Sequence, residues 1–426
     1  MANVYEQMDA AQLDAKIAQL KAEVEKIRDK HLALDMARGK PSPEQTDLSR
    51  PMLDLINSGS DLEAAGGTAA NYGFPDGLPA ARALAADLLG VDPANVIVSG
   101  SASLHIMFDL VNHGFVKGVA GHEPFYKQGP VKWLCPAPGY DRHFRVTEYL
   151  GFENVPVPMG PDGPDMDVVE ELVKDPAVKG IWCVPKYANP TGVVYSDEVV
   201  RRFAALEPAA PDFRIYWDNA YLVHGFEDED DPLLDIFSAL EEAGKTDLVY
   251  EFASTSKITF PGSGMSWVAA SPADIAEVRS ALAVEQVGPE KFTELAHVLF
   301  LHDAAGVRAH MRKHATIVKP RFDLVATKLE AGLDGLGVAT WSHPHGGYFV
   351  SFDGPEGSAR KIVAMMADLG VKMTGAGATW PGGADPHDTN IRIAPTYPSL
   401  GDLGAALDVF VTVVRLVSAQ LAREAR

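Results

Sequence analysis

The run Leu248-Val249-Tyr250-Glu251-Phe252-Ala253-Ser254-Thr255-Ser256-Lys257-Ile258-Thr259-Phe260-Pro261-Gly262 decides how the remaining chain is read. Leu248 to Phe252 has the apolar, β-branched and aromatic make-up of a strand, and it ends in a hydroxyl-rich turn. One lysine follows Ser254, Thr255 and Ser256 and precedes the Pro261-Gly262 turn. Held in such a loop, a desolvated lysine amine can lose its proton and attack a carbonyl carbon, while the neighbouring hydroxyls and amides hold an anion. Taken alone, the window reads as a surface loop with one solvated lysine. The pattern on either side decides otherwise.

Working outward, the same design recurs. Arg214 to Trp217 runs into Asp218-Asn219-Ala220-Tyr221, and Gly180 to Val184 runs into Asn189-Pro190-Thr191-Gly192. Lys132 to Cys135 runs into Pro138-Gly139-Tyr140. Asn95 to Val98 stops at Ser99-Gly100-Ser101-Ala102-Ser103, after which helical periodicity resumes from Leu104 to Val111. Strand, small-residue turn and helix aim free N–H groups and Ser hydroxyls at an anion, typically phosphate; a plain connection with a Ser cap is the competing reading. The glycine fingerprint of a dinucleotide-binding fold is incomplete. Strand after strand ending in a polar or aromatic loop predicts an α/β fold. Its sheet is mostly parallel, with a site along the carboxyl ends of the strands.

The flanks are more helical. Leu13, Ile17, Leu20, Val24 and Ile27 predict a helix from Asp9 to His31, followed by an irregular loop at Arg38-Gly39-Lys40-Pro41-Ser42-Pro43. Asn71 to Gly77 is turn-rich, and a helix is expected from Pro79 to Leu89. Helical periodicity covers Pro272 to Leu333, interrupted near Gly288-Pro289. A smaller α+β unit closes the chain. It has a strand at Gly346 to Phe352, a helix to Leu369, a Gly-rich loop from Thr374 to His387, a strand at Ile391 to Ala394 and a helix from Leu403 to Ala422.

The bulk numbers exclude several classes. A chain of 426 residues with 46% hydrophobic and 22% charged residues is an ordinary globular protein of two or three domains. A net charge of -21 opposes nucleic acid and anionic membrane as partners. Cys135 and Cys183 each sit in an apolar run and read as reduced core thiols, which points to the cytoplasm. No stretch approaches membrane-spanning length, and residues 1–40 have no signal-peptide apolar core. The acidic run Glu227 to Asp231 lacks calcium-loop spacing and reads as a solvated loop. His343 and His345 have no carboxylate or Cys at ligand spacing, so no metal site is read.

Asn189-Pro190-Thr191-Gly192, Asp218-x-x-Tyr221, Ser254-x-x-Lys257 and Arg392, in that order, resemble the class I, fold-type I pyridoxal-phosphate-dependent aminotransferases. More narrowly, the chain is similar to the bacterial aspartate aminotransferase subgroup called Ic, from about Leu34 to the C-terminus. The resemblance implies pyridoxal 5'-phosphate as cofactor and a homodimer with shared active sites. It also implies a large domain over 49–319 and a small domain over 320–426 joined by an N-terminal part, 1–48. Lys257 would carry the cofactor as an imine and then move the substrate proton. Asp218 would pair with the pyridine nitrogen, Tyr221 and Asn189 would bond the phenolic oxygen, and Tyr140 would stack on the ring. His143 matches a histidine behind Asp218, although a solvent-facing His fits the sequence as well. The phosphate would lie on Ser101, Ala102, Ser103 and Ser254. Tyr72 would come from the neighbouring subunit, the alternative being a core tyrosine. Arg392, with Asn189, would hold the substrate α-carboxylate, and Gly39 would close over it.

One departure stands out. The arginine expected eight residues after the lysine, on the phosphate, is Met265 here, so another cation or Ser and backbone donors must serve. The implied reaction is a ping-pong exchange of an amino group between aspartate or glutamate and a 2-oxo acid. Arg38, Lys40, Arg142 and Lys186 are open candidates for the distal carboxylate. A pyridoxal-phosphate β-lyase or decarboxylase would keep the same cofactor residues. A regulatory domain would want a basic DNA-binding segment, which residues 1–40 do not contain.

Overall fold

The apolar runs that end in polar loops assemble into one eight-stranded sheet in the structure, a computed structural model describing residues 3–228 and 231–426. Its strands are β1 (Val96–Val98), β2 (Lys132–Ala137), β3 (Glu153–Gly160), β4 (Gly163–Pro164), β5 (Val178–Cys183), β6 (Arg214–Asp218), β7 (Val249–Ser254) and β8 (Ser266–Ala269). The spatial order is β1-β8-β7-β6-β5-β2-β3-β4. From β7 across to β3 every pairing is parallel. β8 lies antiparallel to both β7 and β1. Two reversals restore the direction of β1, so its carboxyl end joins those of β2, β5, β6 and β7 at one edge. β3, β4 and β8 have no counterpart in the sequence reading. β4 is a two-residue stub, and β8 is hidden behind the Pro-Gly turn that closes the lysine loop.

Both faces of the sheet are covered, which is why its central strands are nearly all apolar. Side chains alternate along β6 and along β5 beyond the register shift that follows Val178. Ile181, Cys183, Ile215 and Trp217 enter one core, while Trp182 and Tyr216 enter the other. A separate core joins the two ends of the chain. Leu13, Leu20 and Val24 of helix Ala10–Arg28 pack with Leu407, Phe410 and Val414 of helix Leu400–Glu424. The antiparallel strands Thr340–Trp341, Val350–Asp353 and Asn390–Ile393 and the parallel pair Leu34–Asp35 with Val371–Lys372 complete this unit.

Several boundaries shift from expectation. The helical stretch after Pro272 is three helices, Pro272–Glu285, Lys291–Leu301 and Ala304–Leu333. The unanticipated second break is at His302, whose φ of 64° is left-handed, and Asp303 then caps the next helix. The strand expected from Gly346 begins only at Val350, because Gly346 and Gly347 press against Tyr187 in a turn. Glu229 and Asp230 of the acidic run lie outside the described residues.

One buried carboxyl has a measurable consequence. Glu251 of β7 is buried and accepts a hydrogen bond of 2.8 Å from Asn219 Nδ2. Burial raises its carboxyl from 4.5 to about 8. The folded state therefore holds this proton more tightly than the unfolded chain. The associated stability is full below about 4.5 and is lost as pH rises through about 8. Glu251→Gln keeps the shape without the titration. We expect it to flatten the pH dependence of thermal unfolding in that window and to be more stable than the parent at the upper end by roughly 2–4 kcal/mol. Parallel unfolding curves for parent and variant at all pH values would contradict this.

Candidate active site

At the carboxyl edge of the sheet lies a cavity of about 250 Å³. Gly39, Ala102, Ser103, Tyr140, Asn189, Asp218, Tyr221, Ser254 and Lys257, singled out in the sequence, all line it. Lys40, one of the open candidates for the distal carboxylate, and Ser256 of the lysine loop line it too, and Met107 and Phe349 are among the residues added by the structure.

The lysine loop is braced from behind. The amides of Ile258 and Thr259 both donate to the Thr255 carbonyl at 2.8 Å, closing a tight turn around Lys257. His297 Nδ1–H donates to the Thr293 carbonyl at 2.7 Å, so Nε2 accepts from the Thr255 and Thr259 hydroxyls at 2.8 and 2.7 Å. Burial lowers this histidine to about 4, keeping it neutral as that pattern requires. Lys257 Nζ sits 4.8 Å from the Tyr221 ring centroid. Burial lowers the pKa of its amine, and the nearby Asp218 charge opposes this only partly. That favours a free amine over an ammonium.

Asp218 terminates β6 and is buried. Its Oδ2 lies 2.9 Å from His143 Nε2, whereas Oδ1 is buried with no hydrogen-bond partner among the described residues. His143 is itself buried, stacked on Trp182 at 4.6 Å, so the solvent-facing alternative is not what the structure contains. Burial holds the Tyr221 phenol well above its ordinary value, so it stays protonated and able to donate.

At the other end of the cavity, helix Ser103–Lys117 begins at Ala102 with no side-chain cap. Its first amides are therefore open, and Ser103, Ser254 and Ser256 surround them. The Ser256 hydroxyl donates to the Ser101 carbonyl at 2.7 Å and accepts from Ser254 at 3.1 Å. Ser101 offers that carbonyl and does not line the cavity. Met265 is 1% exposed in the core, so nothing cationic stands at its position.

Arg392, on strand Asn390–Ile393, lies behind Asn189 and Phe349. Nη1 donates to Asn189 Oδ1 at 3.2 Å and to Asp141 Oδ1 at 2.9 Å. Its guanidinium carbon is 4.9 Å from the Phe349 ring centroid. A Cβ at Gly39 would come within 2.2 Å of the tip of the Phe349 ring, so any larger residue has to push that ring aside. Of the four cations considered for a distal carboxylate, Lys40 lines the cavity and Lys186 lines a different one, beside Asn219 and Glu251. Arg38 and Arg142 are exposed. Tyr72 is 80% exposed, which excludes its reading as a core tyrosine.

Comparison with known proteins gives this arrangement its class. The structure matches that of LysN, an α-aminoadipate aminotransferase of Thermus thermophilus solved with N-(5'-phosphopyridoxyl)-L-leucine, at a TM-score of 0.72 over 95% of both chains. At 20% identity the likeness is one of fold, the fold-type I aminotransferase architecture. A structure of an aspartate transaminase from Corynebacterium glutamicum is nearer, with a TM-score of 0.96, 41% identity and coverage of 99% of this chain and 100% of that one. The aspartate aminotransferase of C. glutamicum is 43% identical over 414 residues, covering 97% of this chain and 96% of that protein. Residues 8–425 match the aspartate amino-transferase family, and the chain belongs to that family.

Proposed function

We propose that the cavity holds pyridoxal 5'-phosphate and that the chain exchanges an amino group between aspartate or glutamate and a 2-oxo acid. One observation carries this reading. The buried Asp218 Oδ1 has no donor among the described residues, and Asp218 lines the same cavity as Lys257. A buried carboxylate oxygen left without a donor is costly unless a ligand supplies one, and a protonated ring nitrogen does so. The uncapped helix at Ser103, with Ser254 and Ser256, likewise suits a phosphate in the absence of an arginine.

When bound, the cofactor supplies an electron sink for negative charge developing at the substrate α-carbon. The remaining work falls to the chain. Asp218, backed by His143, would keep a cation beside Oδ1. Tyr221 and Asn189 would donate to the cofactor's phenolic oxygen, and Tyr140 would cover its ring. Arg392 and Asn189 orient the α-carboxylate so that the α-hydrogen points at Lys257. Lys257 Nζ, its pKa lowered by burial, takes that proton and returns it. Ser101 helps only by fixing Ser256, and Gly39 lets the N-terminal segment close over the substrate.

Tyr72 fits a role on the other subunit's phosphate, giving a homodimer with two shared sites; we place the protein in the cytoplasm. We also divide the chain at 48/49 and 319/320. The second division falls at Pro320, inside helix Ala304–Leu333. Val307 and Met311 before it pack under the large sheet, whereas Phe322, Val325 and Leu329 after it join the terminal core.

Single-turnover mixing of the purified holoprotein with individual amino acids tests the function. Aspartate and glutamate are expected to convert the bound cofactor's absorbance to that of its amine form, and alanine and aromatic amino acids are not. Release of pyruvate and ammonia without consumption of an oxo acid would place the protein among the lyases instead.

A further inference from the structure

Arg392 is already engaged by a carboxylate of its own chain. Asp141, the first residue of helix Asp141–Tyr149, reaches across from the large sheet to the strand Asn390–Ile393 and accepts from Nη1 at 2.9 Å. Asn189 takes the second Nη1 proton at 3.2 Å, so both are committed. A carboxylate that grips a guanidinium with two parallel hydrogen bonds needs either Nη1 with Nη2 or Nε with Nη2. The second edge is closed, because Nε is buried beyond the reach of solvent and has no acceptor among the described residues. The remaining end-on approach contains Asp141.

We propose that Asp141 is a resident carboxylate on Arg392, which the substrate carboxylate must displace to bind. The proposal rests on the reading of Arg392 as the substrate's carboxylate partner. Two physical arguments favour it. Arg392 is only 9% exposed, and a nearly buried guanidinium needs a counter-charge while no substrate is bound. The Asp141 side chain, at 31% exposed, keeps access to water and can leave without stranding its own charge. The ion pair therefore compensates the empty site and is lost when a stronger, two-point partner arrives. It also weakens ground-state binding of every carboxylate that enters. In a cycle that must release one acid before accepting another, weaker ground-state binding favours that release.

A scaffold role for Asp141 makes the opposite prediction, so the two can be separated. Holoprotein is titrated calorimetrically with maleate, a dicarboxylate lacking an amino group, in the parent, Asp141→Asn, Asp141→Ala and Arg392→Gln. Thermal midpoint and cofactor absorbance verify that each variant is folded and loaded. Asp141→Asn and Asp141→Ala are expected to bind maleate about three- to tenfold more tightly than the parent, and Arg392→Gln to lose most of the binding. The KM values for the amino acid and the oxo acid should fall together in both Asp141 variants. Weaker or unchanged binding in these variants, with Arg392→Gln still defective, overturns the displacement model and leaves the Arg392 assignment standing. Parent-like binding by Arg392→Gln removes the assignment and the proposal together.

Discussion

Replacing Lys257 by alanine is expected to lower the transamination rate by at least about four orders of magnitude. The size follows from two functions lost together. A positioned base contributes about 10²–10⁴, and the amine is also the group able to attack a carbonyl. No neighbour can substitute. Lys40, the other ammonium lining the cavity, is held over the Tyr397 ring at 3.7 Å. His297 lies behind the loop with both ring nitrogens occupied. Lys257→Arg sharpens the test, because a guanidinium keeps the positive charge but does not release its proton near neutral pH. If the charge of Lys257 were what mattered, arginine would restore much of the rate. If the free amine matters, arginine should be nearly as inactive as alanine. Single-turnover absorbance under saturating aspartate reads both variants without interference from product release. Turnover within tenfold of the parent in either would remove Lys257 from the mechanism.

What could be read in the sequence and what could not divides along a physical line. Lys257, Asp218 and Asn189 follow apolar strands, and a parallel sheet gathers strand ends at one edge whatever the tertiary detail. Their convergence was thus predictable from local pattern. His297 was not, because it lies forty residues from Lys257 on a helix where a buried histidine leaves no periodic mark. Asp141 was overlooked for a similar reason. Next to Tyr140 it reads as an acidic helix start, and only folding brings Arg392 against it. Ser256 was visible but indistinguishable from its neighbours until its bond to the Ser101 carbonyl was known. Lys186, one of four open candidates for a distal carboxylate, shows the limit of proximity in sequence. It sits three residues before Asn189, yet the chain passes through a left-handed φ of 48° at Tyr187, and the lysine lines a separate cavity. In the fold, the central strands were legible from continuous apolar runs. The break at His302 was not, since neither glycine nor proline marks it.

Asp218→Asn should reduce kcat by about 10²- to 10³-fold while leaving the fold intact. The substitution is nearly isosteric, the packing and backbone ladder bonds of β6 are untouched, and an amide oxygen can still accept from His143 Nε2 in place of Oδ2. What changes is the charge at Oδ1, the buried oxygen that has no donor among the described residues. An asparagine there can orient either an oxygen or an NH₂ toward the ring nitrogen, but it cannot hold a proton on that nitrogen against the low-dielectric surroundings. Without the cation the electron sink weakens and removal of the α-proton becomes slow. His143→Asn provides the graded comparison. It removes the group that fixes Oδ2 at 2.9 Å but leaves the carboxylate charge, so the loss should be smaller, about tenfold, and borne mainly by kcat. A deuterium isotope effect on the substrate α-position should grow in Asp218→Asn as proton removal becomes more fully rate-limiting. Equal losses in the two variants would mean that orientation of Asp218 matters as much as its charge. Retention of activity within about threefold in Asp218→Asn would show that no cation is stabilised at Oδ1 at all.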